Sequence, residues 1–389
     1  IEQFSDLDWE GRQALQEQRL RWLLRKTGRS EKLLQDLPLT EKADLRSAPQ
    51  AYGRSSILPV SRGATSGTSG EPLKVSRSLN AVVFEQASID WIVAQTGHDL
   101  ARDRVAVLRG SDISGLVPGA AVGVLSEGGR VLTLPTNDLS PDTFPQFLAA
   151  LQAFRPQILH AYPSSVQYLA DLAIDRNAAL EIPVILTSSE VFSPAARRKV
   201  AATFNARVVD FYGQAERVAA AYSTEPDQYR FLPAYGITEL MADEGGWQIV
   251  GTNLHNTSQF LPRYKTGDML LGKPTAGEMA QILAGISPFE GIEGRRDDAL
   301  VGRDGRKFIA INHVPRGLER YGRWQFIQER PNQALVRLAG WSPEVENVTE
   351  PVLERVRLKV PADFTLEVEF AQALERGPSG KTPFIIKRF

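Results

Sequence analysis

The sequence predicts an α/β protein with a large N-terminal domain, residues 1–293, in which parallel or mixed sheets are flanked by helices and joined to a β-rich subdomain. A small α+β C-terminal domain, residues 294–389, follows. Three observations carry this reading. Between Pro156 and Gly213 short apolar runs alternate with longer helical patterns, the signature of right-handed crossovers in a parallel sheet. After Arg230 the text turns to Gly-punctuated, strand-like pieces, and at Gly294 it changes again, to clustered Arg and Asp followed by short strands. The chain's 389 residues also exceed what one core normally organises.

Taken in order, residues 9–26 set Leu15, Leu20, Trp22, Leu23 and Leu24 among Arg, Gln and Glu, a surface helix stopped by Gly28. A Gly/Ser/Thr loop at residues 63–70 leads into an apolar helix at 82–93. Next come a strand at 157–162, a helix at 165–174, a strand at 182–186, a helix at 194–204 and a strand at 207–211. Two of these strands run into polar tips, Thr187-Ser188-Ser189-Glu190 and Tyr212-Gly213-Gln214-Ala215-Glu216. The carboxyl ends of parallel strands are where such sheets hold ligands. Residues 247–252, 269–271 and 279–283 read as strands of an antiparallel subdomain, and 307–311, 333–338 and 364–370 as strands of the tail.

Composition excludes several classes. Lys and Arg total 45 against 46 Asp and Glu, giving a net charge of -1, so no global field would draw in nucleic acid or an anionic membrane. With no Cys there is no disulfide, thiolate zinc site or Cys nucleophile. The first ten residues are polar and acidic, and no apolar run approaches the ~20 residues of a membrane span. A cytoplasmic location is expected. His98, His160, His255 and His313 lack metal-ligand spacing and are read as structural or exposed.

The decamer Thr65-Ser66-Gly67-Thr68-Ser69-Gly70-Glu71-Pro72-Leu73-Lys74 is the strongest single motif. Glycines let a backbone approach phosphates, hydroxyls and N–H groups donate to them, and Lys74 adds a compact charge. Read alone it fits a phosphate cradle or a flexible linker. It lacks the terminal Gly-Lys-Ser/Thr of the other common phosphate loop.

Together with Tyr212-Gly213-x-x-Glu216, Tyr264-Lys265-Thr266-Gly267-Asp268, Gly294-Arg295-x-Asp297-Asp298 and Pro378-Ser379-Gly380-Lys381, the decamer resembles the ordered blocks of the adenylate-forming (ANL) superfamily. Residues 37–46, LPLTEKADLR, resemble its phenylacetate-CoA ligase branch, and residues 212–217 and 304–306 that branch's CapK-like relatives. The resemblance implies ATP-dependent activation of a carboxylic acid. The carboxylate attacks the α-phosphate, pyrophosphate leaves, and the acyl group of the resulting acyl-AMP passes to CoA or to an amine, hydroxyl or carrier-protein acceptor. It also implies roles for residues. Thr65, Ser66, Gly67, Thr68, Ser69 and Gly70 would hold the β- and γ-phosphates beside Lys74, and Glu216 would coordinate Mg²⁺. Tyr212 and Gly213 would line adenine with Ser189 and Glu190, Asp268 would accept from the ribose hydroxyls, and Arg295 would bind ribose or phosphate. Asp297 would be the hinge of a mobile tail domain that carries Lys381 to the developing charge, and Tyr162 would line a pocket for an aromatic or otherwise planar acid.

Two departures stand out. Ala215 occupies the place of the usual Thr, and Lys74 stands one position later than usual. A kinase-like NTPase releasing ADP, and a nucleotide-binding module without activity, remain alternatives at this point.

Overall fold

The computed structural model describes all residues except 55–59, 65–72, 110–121, 244–245, 296–298, 309–310, 312–313, 316–317, 319–320, 341–346 and 378–379. Along the chain lie α1 (Glu2–Ser5), α2 (Trp9–Lys26), α3 (Lys42–Ser47), α4 (Pro49–Tyr52), β1 (Val60–Ala64), β2 (Lys74–Ser78) and α5 (Leu79–Ala94). Next are β3 (Val105–Leu108), β4 (Val124–Ser126), β5 (Val131–Leu134), α6 (Phe144–Phe154), β6 (Ile158–Ala161), α7 (Pro163–Asp175), β7 (Val184–Ser188) and α8 (Pro194–Phe204). They are followed by β8 (Arg207–Gly213), β9 (Ala220–Glu225), β10 (Gln228–Phe231), β11 (Gly236–Asp243), β12 (Gly246–Asn253), β13 (Tyr264–Leu271), α9 (Ala276–Leu283) and β14 (Gly291–Arg295). The last elements are β15 (Leu300–Val301), β16 (Lys307–Phe308), β17 (Arg323–Gln328), β18 (Gln333–Ala339), α10 (Thr349–Arg357), β19 (Thr365–Ala371) and β20 (Ile385–Lys387). The chain divides into two compact units, residues 1–99 with 209–293, and residues 100–208 with 294–389.

In the second unit β5, β3, β6 and β7 run parallel, and β4 closes the edge antiparallel to β5. Apart from the exposed β4 the strands are short, apolar and mostly buried, and α6, α7 and α8 pack Phe147, Leu151, Val166, Leu169 and Val200 into their core. The same unit contains the tail sheet, ordered β19-β18-β17-β20, an antiparallel β17–β18 pair with a parallel strand on either side. Val352 and Val356 of α10 bury against Phe326, Val336 and Leu338, so residues 300–385 have a core of their own.

In the first unit β8, β9 and β10 pair antiparallel in sequence, and β11, β12 and β13 form the antiparallel sheet that the Gly-punctuated text predicts. Gly251 matters to the packing: a Cβ there would stand 2.7 Å from the Val218 carbonyl, closer than any side chain allows.

One expectation fails. Residues 279–283 are helical rather than extended, as the C-terminal half of α9. A capping box starts that helix: the Thr275 backbone N–H donates to the Glu278 carboxylate at 2.9 Å. Its reciprocal pair satisfies backbone donors that an extended reading ignores.

Candidate active site

β3, β6 and β7 are in register, with Leu108 beside Ala161 and Ala161 beside Thr187. Their carboxyl ends therefore release Arg109, Tyr162 and Ser188–Glu190 together. Tyr162 caps α7 and Pro163 occupies its first turn, where a proline's missing N–H costs nothing. Ser189 takes φ 77, an uncommon left-handed backbone for a non-glycine residue and of the kind that concentrates at functional tips.

Arg109 organises these ends. One guanidinium nitrogen donates to His160 Nε2 at 2.7 Å, and the other reaches Ser188 Oγ at 3.2 Å and Ser189 Oγ at 3.1 Å. Its Cζ stands 4.5 Å from the Tyr162 ring centroid, a cation–π distance. Because arginine only donates, His160 Nε2 must accept. Burial, and then the Arg109 charge, push the imidazole from 6.5 down to about 3, keeping it neutral.

Lys381 reaches the same group from the tail. Gly380 adopts φ 77 in a turn closed by the Gly377 N–H on the Lys381 carbonyl, 2.8 Å. The ammonium lies 5.6 Å from the Tyr162 ring centroid. Burial holds its pKa below 10.5; Glu190 opposes that shift, while Arg109 and Arg295 add to it. Glu190 accepts from the backbone N–H of Ser164 and from that of Thr382, each at 2.9 Å. Burial raises its pKa, and these two donors and Lys381 restrain the rise.

In the other unit, β8 and β13 position two carboxylates, each accepting from a tyrosine. Tyr212 Oη donates to Asp268 at 2.8 Å, and Tyr264 Oη donates to Glu216 Oε1 at 2.8 Å. Burial, then Asp268, push the Tyr212 phenol well above 10, so it keeps its proton. Asp268 is also fixed by its own N–H on Thr266 Oγ1, 3.0 Å, across the left-handed Gly267. Glu216 is 5% exposed, and its Oε2 has no hydrogen-bond partner among the described residues. A buried, unmatched carboxylate oxygen suits a hard cation such as Mg²⁺. Ala215 packs among Leu73, Val75 and Val218, and its carbonyl accepts from Arg77 Nε at 2.9 Å.

The predicted residues thus fall into two groups. Tyr162, Ser189, Glu190 and Lys381 come together in one unit, with Arg295 acting on Lys381 through its charge. Tyr212, Gly213, Glu216 and Asp268 lie in the other, where Lys74 opens β2 and is exposed. Residues 65–70 and Asp297 lie outside the described residues. Sequence reasoning missed Arg109; a four-residue apolar strand ending in Arg-Gly was its only signal.

These arrangements can be set beside known proteins. A family model for AMP-binding enzymes matches residues 64–275, more than half of the chain. The chain belongs to the AMP-binding enzyme family. It is therefore an enzyme of the adenylate-forming, acid–AMP ligase type. Among solved structures similar to this AMP-binding enzyme is 2-hydroxyisobutyryl-CoA ligase in the postadenylation state with 2-HIB-AMP. That match has a TM-score of 0.61 and 19% identity, and covers 97% of this chain and 89% of that one. The anthranilate CoA ligase AuaEII with anthranoyl-AMP gives 0.54 and 14% over 95% and 79%, respectively. The amide bond synthetase McbA from Marinactinospora thermotolerans gives 0.51 and 16% over 83% and 67%. At these identities the likeness concerns the fold. No curated protein matches the sequence. Among the described residues no helix is long and apolar enough to cross a membrane.

Proposed function

We propose that this enzyme joins a small carboxylic acid to the AMP moiety of ATP and then transfers the acyl group to CoA, or to an amine, hydroxyl or carrier-protein acceptor. Its branch is that of the phenylacetate-CoA and CapK-like ligases, acting in the cytoplasm. The supporting observation is Lys381: a half-buried ammonium on a tail turn, over Tyr162 and beside the strand-end group of Arg109 and Glu190.

In the first half reaction an acid carboxylate oxygen bonds to the α-phosphorus, the bond to the β-phosphate oxygen breaks, and pyrophosphate leaves. Lys381 neutralises charge developing on the carboxylate and α-phosphate oxygens, a role that gains strength from burial. Tyr162 offers a flat face to a planar acid. Tyr212 stacks on adenine, with Gly213 and Ser189 completing the base pocket, and Asp268 accepts from the ribose hydroxyls with its phenol partner holding it in place. Residues 65–70 and Lys74 bind the outer phosphates, and Arg295 binds ribose or phosphate. Glu216 would hold Mg²⁺ through Oε2, and the ion when bound would offset phosphate charge. In the second half reaction the acceptor attacks the acyl carbon and AMP departs. In this reading residues 294–389 are the tail domain, with Asp297 as its hinge, and they withdraw Lys381 between the steps.

The test supplies ATP and Mg²⁺ with aromatic, aliphatic and amino acids and follows pyrophosphate and AMP with and without CoA. Acid-dependent pyrophosphate with AMP is expected, and CoA dependence of AMP release identifies the acceptor. ADP as product, or ATP binding without turnover, overturns the proposal.

A further inference from the structure

Lys381 has a long flexible stem, so something must hold its backbone if the ammonium is to stand in one place. The grip falls on a single peptide unit. The carbonyl of Lys381 accepts from the Gly377 N–H at 2.8 Å, within the tail turn. The N–H on the other side of that planar unit, Thr382, donates to Glu190 Oε1 at 2.9 Å. A trans peptide fastened at both its oxygen and its hydrogen cannot rotate, and the Cα of Lys381 is part of it. The second oxygen of Glu190 accepts from the Ser164 N–H, also at 2.9 Å, in the first turn of α7, where backbone donors have no helical partner and the dipole favours an anion. One carboxylate thus spans the carboxyl end of β7, the start of α7 and the lysine turn.

We infer that Glu190 is a positioning residue: its carboxylate fixes the turn that carries Lys381 against α7 and so sets where the ammonium stands over Tyr162. This is a different task from the purine contact expected of Glu190, since both oxygens face backbone donors. A glutamine of the same shape offers one acceptor oxygen and turns an NH₂ toward the remaining N–H, so it satisfies only one of the two partners. Alanine satisfies neither and leaves both donors buried or to water.

The inference rests on the catalytic reading of Lys381 given above, so its test has one arm independent of catalysis. Hydrogen exchange of the 377–382 segment is measured on the full-length wild type, Glu190→Gln and Glu190→Ala without any ligand, after thermal melting shows each to be folded. Exchange at Thr382 is expected to quicken about tenfold in the alanine variant, with glutamine intermediate. In the second arm, pyrophosphate release is followed with ATP, Mg²⁺ and the best acid of the panel, with Lys381→Ala as reference. The expected result is kcat lowered about 100-fold in Glu190→Ala, as for a displaced catalytic group, with KM for ATP unchanged and glutamine again intermediate. If Glu190→Ala fails to fold, Glu190→Gln alone decides both arms. Unchanged exchange at Thr382 overturns the inference, and so does quickened exchange with unchanged kcat. Quickened exchange in a protein whose wild type releases no pyrophosphate keeps the anchor and instead overturns the adenylation reading.

Discussion

The two units handle charge in opposite ways. In the unit containing β8 and β13, two carboxylates are each held by a neutral phenol, Asp268 by Tyr212 and Glu216 by Tyr264. In the unit containing β3, β6 and β7, two cations, Arg109 and Lys381, lie over one aromatic ring. Glu190, whose charge acts on Lys381, accepts from the backbone N–H groups of Ser164 and Thr382. The first arrangement suits hydroxyl donors and a metal ion; the second suits a ligand that brings its own negative charge.

The sharpest way to break the contrast is to remove the cation on the tail turn. Lys381→Ala is expected to lower pyrophosphate release by at least about 100-fold, the scale for loss of a charge-stabilising group in the transition state, while ATP binding measured by calorimetry persists. Near wild-type turnover would remove Lys381 from the mechanism. On the anionic side, Glu216→Gln exchanges the unmatched oxygen for an amide of similar volume. The Mg²⁺ concentration for half-maximal turnover should rise by about 10- to 100-fold, and a titration that superimposes on wild type would leave Glu216 a structural residue.

The smallest effect concerns stability. His160 is held down at about 3 from 6.5, so between those values the unfolded chain binds a proton that the folded chain refuses. The stability that the neutral imidazole contributes is complete above 6.5 and is lost as pH falls toward 3. His160→Gln, which keeps an acceptor for Arg109, should make the fall in melting temperature across that window shallower. His255 follows the same sign between 6.5 and about 4, its ring stacked on Phe84 at 3.5 Å, and should account for part of the remaining slope.

Local pattern made much of this architecture legible. The alternation from residue 156 to 213 yields β6, α7, β7, α8 and β8 because each apolar run lies in a buried strand or on the packed face of a helix. The polar tips after β7 and β8 were visible because buried parallel strands leave chemistry only at their ends. What the text hid is pairing over long distances. Arg109 and His160 are 51 positions apart and meet only because β3 lies beside β6. Glu190 and Thr382 are separated by 192 positions. The stretch at 279–283 misled because four apolar residues in five fit a strand or a short helix equally, and the capping residues that decide lie upstream, at Thr275 and Glu278.

Asp171, on α7, is 8% exposed and bonds two cations at once: Lys199 of α8 at 2.6 Å and Arg323 of β17 at 3.0 Å. A buried carboxylate robbed of its sole counter-ion is costly, but this one has two partners on different elements. If Arg323 departs with the tail, Lys199 stays, and the charge is never stranded. With two cations on one carboxylate, losing either contact still leaves the buried charge a counter-ion.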